Sequence, residues 1–138
     1  MERRKFINIS CLLLLAVIIC ITFYSCAKDK GEPVIYCNSL PDTVSFNKNV
    51  IPIFKANCSL SGCHSGSTPT GSLDLDSSSA YSQLMRKNTS YVDTLDAKNS
   101  LLYSQLVSTS NPMPPTGSIN YCSIQLILKW IQQKAKND

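Results

Sequence analysis

Cysteine and histidine placement constrains this chain more than any periodicity does. The only histidine of the 138 residues, His64, follows Cys63 directly, and Cys58 stands five residues earlier, in the run Cys58-Ser-Leu-Ser-Gly-Cys63-His64. Two thiols and an imidazole on one short loop are all potential ligands or nucleophiles. What they can do depends on the compartment, because thiols persist in a reducing cytosol and pair in an oxidising one.

The N-terminus speaks to the compartment. "MERRKF" carries Arg3, Arg4 and Lys5, and residues 7–25 are almost wholly apolar, the pattern of a secretory leader. The apolar run is close to transmembrane length, so an uncleaved anchor is the other reading. Both readings export the rest of the chain. Ser25 immediately before Cys26 resembles a bacterial lipobox in loose form, with Phe23 where leucine is usual. That resemblance implies cleavage before Cys26 and lipid on its thiol. Each buried acyl CH₂ contributes about 0.8 kcal/mol, so several chains anchor firmly.

Three segments follow: a lipoprotein signal peptide at 1–25, a tether at 26–42 rich in charge, Gly and Pro, and a domain at 43–138. Losing Glu2, Arg3, Arg4 and Lys5 lowers the net charge of +4 by two, too little to argue for nucleic acid. The domain reads as all-α. Asn49 is a candidate cap for a helix with Pro52 in its first turn and Val50, Ile53, Phe54 and Asn57 on one face. Ala80, Tyr81, Leu84 and Met85 suit a short helix facing inward. Ser100 is a candidate cap ahead of Leu101, Leu102 and Leu106. Ile124, Ile127, Leu128 and Ile131 repeat at helical spacing, with Lys134 and Lys136 suited to that helix's C-terminal end. No strand pattern is convincing. The long loops between helices need something inside to pack on.

The run from Cys58 to His64 supplies a candidate for that something. Two thiols can bond the vinyl groups on one edge of a haem while the next residue, His64, offers its ring nitrogen to iron. The common form is C-x-x-C-H, and here the spacer has four residues. Gly62 lets the longer loop turn before Cys63. The same residues also fit a Cys58–Cys63 disulfide with His64 incidental, or a zinc site with Cys37, Cys58, Cys63 and His64. With one histidine, a second axial ligand must be of another type, and methionine is the usual one in electron carriers. Met113 lies in "NPMPP", where flanking prolines fix the backbone, while Met85 is at core spacing. Met113 is therefore the expected distal ligand. If Cys26 carries lipid and Cys58 and Cys63 hold haem, Cys37 and Cys122 remain as a disulfide pair. Leu73, Leu75, Leu84, Leu101, Leu102, Tyr103, Leu106 and Trp130 are candidate haem-pocket lining, with Tyr103 and Trp130 able to reach a propionate.

The ordered segments "VSFNKNVIPIFKANCSLSGCHSG", "GSLDLDSSSAYSQL", "NSLLYSQLV", "NPMPP" and "IQLILKWIQQKAKN" resemble the planctomycete-type cytochrome c domains. The resemblance spans roughly Thr43 to Asn137. It implies a cytochrome c-like helical fold around one covalent haem c, with Cys58 and Cys63 as thioether cysteines, His64 proximal and Met113 distal. It implies electron transfer. Many such domains stand beside large catalytic domains, and this chain carries none, so an electron carrier rather than an enzyme is expected, with a redox partner protein in the envelope and an outer membrane anchor facing the periplasm or the cell surface. A haem-based ligand sensor with an open distal face and a haem-free lipoprotein stapled by disulfides are the two rival functions.

Overall fold

Ser45 sets where the first helix begins. Its Oγ accepts from the Lys48 N–H at 3.2 Å, and its own N–H donates to Asn49 Oδ1 at 2.9 Å. This reciprocal cap satisfies groups that a helix start otherwise orphans. The computed structural model describes Cys37 and residues 40–138. The leader, the lipidation candidate Cys26 and most of the tether lie outside the described residues.

The opening turn, Phe46–Val50, is wound as π-helix and continues as α-helix Ile51–Asn57; together they form α1. The Ile51 N–H donates to Phe46 O, five residues back. The wide turn ends just before Pro52, which has no N–H to extend an α-helical ladder. The cap, Ser45, thus lies four residues before Asn49, the cap expected from sequence. Asn49 still helps close the cap, from inside the first turn.

A 3₁₀ turn at Thr70–Ser72 follows, then α2 (Ala80–Leu84), a second 3₁₀ turn at Ala97–Asn99, α3 (Leu101–Val107) and α4 (Tyr121–Gln132). Among the described residues there is no strand, and no helix is long and apolar enough to cross a membrane. The architecture is all-α with long connections, as the periodicity predicts.

The α4 helix follows its sequence pattern closely. Asn120 Oδ1 accepts from the Cys122 N–H at 2.8 Å, capping the start. Ile124, Ile127, Leu128 and Ile131 are all buried, and so is Trp130. Beyond Gln132 the chain reverses through Lys134 and Ala135, both left-handed at φ 69° and 47°. That conformation costs a residue with a Cβ about 1 kcal/mol or more. It brings Lys136 O back to accept the Trp130 indole N–H at 2.8 Å, so the buried donor is satisfied. Trp130 is therefore a core residue, and its N–H is already taken. Lys134 leaves the helix end and donates from Nζ to Thr94 O at 3.0 Å.

The core forms where the first turn of α1 meets α4. Phe46 lies edge-on to Phe54 and Tyr81, with centroids at 6.3 and 5.4 Å, and tilts against Trp130 at 4.8 Å. Aromatic pairs in such geometry add to plain area burial. The lead-in to α1 is sewn to the tail after α4. Val44 N–H donates to Gln133 Oε1 at 2.9 Å, Gln133 Nε2 to Asp42 O at 2.6 Å, and Phe46 N–H to Asp138 Oδ1 at 2.9 Å. A disulfide joins Cys37 to Cys122 in the first turn of α4, with Cα atoms 5.4 Å apart. The two ends of the domain are thus fastened to each other.

Candidate functional site

The end of α1 delivers Cys58. Its N–H and that of Ser59 both donate to Phe54 O at 2.8 Å, closing the helix. The chain then loops through Gly62, whose φ of +79° is open to glycine and costly for other residues. It returns so that the His64 N–H meets Cys58 O at 3.1 Å. The four-residue spacer is bulged outward, and its two ends are brought together. On the far side, Cys63 O accepts from Thr70 N–H and His64 O from Leu75 N–H, each at 2.8 Å. Cys58, Cys63 and His64 are held by backbone bonds at every step.

The imidazole is oriented in the same way. His64 Nδ1 lies 3.2 Å from Leu73 O, which can only accept. In the neutral ring the proton therefore belongs on Nδ1, which leaves Nε2 with the lone pair. A backbone carbonyl on one ring nitrogen is the usual means of fixing a histidine whose other nitrogen binds a metal.

Cys58 and Cys63 are both half-buried free thiols. Burial pushes the Cys58 thiol up to about 11, and neighbouring Cys63 adds to the rise. At neutral pH it is a protonated thiol. Beneath the loop stands Asp76. Its carboxylate accepts from Ser59 Oγ and, at 3.2 Å, from Ser65 Oγ. The Ser59 hydroxyl most of all, then Ser65 and the Gly66 N–H, hold that carboxyl below its ordinary range against a partial desolvation.

Cys58 and His64 open onto a cleft of about 280 Å³ walled by Leu73, Leu75, Leu84, Leu101, Leu102 and Leu106. Met113 lines the same cleft. An adjoining cavity of about 110 Å³ shares Cys58, His64, Thr70 and Met113 and adds Cys63, Pro114 and Pro115. The loop bearing Met113 hangs on α3 by the Met113 N–H, which donates to Gln105 O at 3.0 Å. Cys58, Cys63, His64 and Met113 thus gather around connected apolar space. A concave apolar site with a few convergent polar groups is what a small-molecule site requires.

Several expected residues fall elsewhere. Trp130 belongs to the α1–α4 core, and Tyr103 packs on the core without lining the cleft. Met85 is exposed: α2 ends at Leu84, so the next residue leaves the helical face that was expected to bury it. Ser100 stands at the cap position of α3 but is fully buried, with its Oγ accepting the Asp93 N–H at 2.8 Å. The carbonyls of Ser90 and Tyr91 take the first N–H groups of α3 instead, from Leu101 at 2.8 Å and Leu102 at 3.1 Å. That pairing presses Tyr91 against the cleft, where sequence reasoning did not place it. Arg86 stacks on the other side of the arrangement, 5.7 Å from the Tyr91 centroid, and donates to Ser72 O at 3.2 Å. Thr70, Gly71 and Gln105 are further lining residues without a periodic signal. The zinc set is not assembled: Cys37 is bonded to Cys122, and among the described residues no three His, Cys, Asp or Glu side chains stand close enough to hold one metal ion between them.

The residues present are of the types that a covalent haem requires. They offer two free thiols on one loop, an imidazole with a free Nε2, a thioether, and apolar walls. Set against known protein families, curated proteins and solved structures, the chain matches none.

Proposed function

We propose that this chain is a single-haem c-type cytochrome, tethered to a membrane by lipid on Cys26, that carries one electron at a time to a partner protein in the cell envelope. The observation that carries the reading is the meeting of Cys58, His64 and Met113 on one leucine-walled cleft, with His64 Nδ1 already engaged by Leu73 O. Cys58 and Cys63 would hold the haem as thioethers, and His64 Nε2 and Met113 Sδ would bind its iron. When bound, haem c supplies a one-electron iron couple. The protein's part is to position and to exclude. Leu73 O fixes the imidazole and the Gln105 contact holds the Met113 loop; the leucines would keep water from a bound haem and so would favour its less charged ferrous state. On this reading the helical domain is cytochrome c-like and related to the planctomycete-type domains that the sequence resembles.

Optical spectra of variants made with a cytochrome c maturation system test the ligands. His64→Ala is expected to lose the low-spin haem spectrum. Met113→Ala is expected to lower the reduction potential and admit carbon monoxide to the reduced protein. An unchanged spectrum in the first, or an unchanged potential with no carbon monoxide binding in the second, contradicts the corresponding assignment.

A further inference from the structure

The attachment loop has a support that its own residues do not provide. Ser59 follows Cys58, and Ser65 follows His64, so one hydroxyl stands beside each end residue of the run. Both donate to one side chain seventeen and eleven residues further on, the carboxylate of Asp76. The backbone of Asp76 is itself fixed. Its N–H donates to Asp74 Oδ1 at 2.9 Å, and its carbonyl accepts the Ser79 and Ala80 N–H groups at 2.8 Å where α2 begins. One rigid carboxylate therefore grips both ends of a loop that is two residues longer than the common C-x-x-C-H spacing. A longer spacer has more conformations to lose before two thiols can face one edge of a ligand. A charge-assisted pair of hydrogen bonds is a strong means of removing them.

We infer that Asp76 is the positioning residue of the attachment loop, shaping it through Ser59 and Ser65 so that both Cys58 and Cys63 can react with the same haem. This rests on the haem reading above. In each reaction a thiol S–H adds across a vinyl C=C. The sulfur bonds one vinyl carbon and the hydrogen passes to the other, so no oxidant, reductant or leaving group is needed. Asp76 touches neither sulfur and acts only by holding the loop.

The test compares wild type, Asp76→Ala, Asp76→Asn and the double variant Ser59→Ala/Ser65→Ala, each as the full chain co-produced with a maturation system. The pyridine haemochrome absorption maximum distinguishes one thioether from two, a readout that a loss of general stability does not move. Wild type is expected to carry two. Asp76→Ala is expected to raise the one-thioether fraction at least tenfold, Asp76→Asn less because one acceptor oxygen remains, and the serine pair to reproduce Asp76→Ala. Two thioethers at wild-type yield in both Asp76→Ala and the serine pair would overturn the inference. So would a defect in Asp76→Ala that the serine pair does not share, since Asp76 would then act only through α2. If Asp76→Ala does not accumulate, the serine pair decides alone. A second arm uses haem-free chains. Loosening the loop is expected to speed alkylation of Cys58 at least tenfold with the Cys37–Cys122 disulfide intact, and an unchanged rate contradicts the clamp. Wild type without covalent haem would refute the function while this second arm still reads the clamp.

Discussion

The two halves of this domain use the same kinds of side chain to opposite ends. Where α1 meets α4, Phe46, Phe54, Ile127, Trp130 and Ile131 fill the space between the helices, and each is no more than 1% exposed. Around α2 and α3, leucines also converge, yet they surround about 280 Å³ of open cleft. The difference lies in element length. The α4 helix has twelve residues and can bury a continuous face. The α2 and α3 helices have five and seven, too short to be stable alone or to close over their own apolar side chains. The filled half needs only itself. On the haem reading the cleft half is completed by the cofactor, and binding there would add stability by mass action.

The sharpest way to break this contrast is through the filled half. Trp130→Ala is expected to cost about 3–5 kcal/mol, with or without haem, because it removes a fully buried ring packed on Phe46 and strands Lys136 O. Denaturant unfolding of both forms checks this. Next in size, replacing Cys37 and Cys122 by Ser frees a separation of 85 residues, with an expected loss of about 2–4 kcal/mol in oxidised protein and none under reducing conditions.

The cleft half is probed by pH. In the haem-free chain Cys58 titrates from an ordinary 9.0 when unfolded to about 11 when folded. The folded state binds that proton more tightly. Its contribution is therefore complete below pH 9 and is lost as pH rises toward 11, by up to roughly 3 kcal/mol. Comparing haem-free wild type with Cys58→Ser between pH 8 and 11 isolates this slope. It should vanish once Cys58 is a thioether. The smallest effect is expected from Leu101→Ala. Leu101 is 37% exposed, so the loss should stay below about 1 kcal/mol without haem and grow clearly with haem bound. An equal cost in both forms would mean that the cleft is not completed by the cofactor.

The same division governs what could be read from the sequence. The α4 helix was legible because Ile124, Ile127, Leu128 and Ile131 repeat at 3.6 residues and are all buried. The run of Cys58 to His64 was legible because chemistry demands those residue types together. The start of α1 was not, because the cap depends on a π-wound turn and on Asp138, 92 positions from Phe46. Met85 was assigned inward by spacing that the helix does not last long enough to express. Tyr91 was missed since backbone bonds between an irregular segment and α3 place it, and such bonds leave no trace in side-chain pattern. Trp130 was assigned to the pocket on its chemistry, while a tail reversal after Gln132 satisfies its N–H inside the core. The leader and Cys26 lie outside the described residues.

The most direct measurement is the intact mass of the denatured protein, purified from cells that also mature a control cytochrome c. The expected mass is that of the chain from Cys26 with its lipid plus one haem, retained through denaturation, with the Cys37–Cys122 disulfide in place. A chain without haem, lighter by the two further hydrogens of a Cys58–Cys63 disulfide, would contradict it.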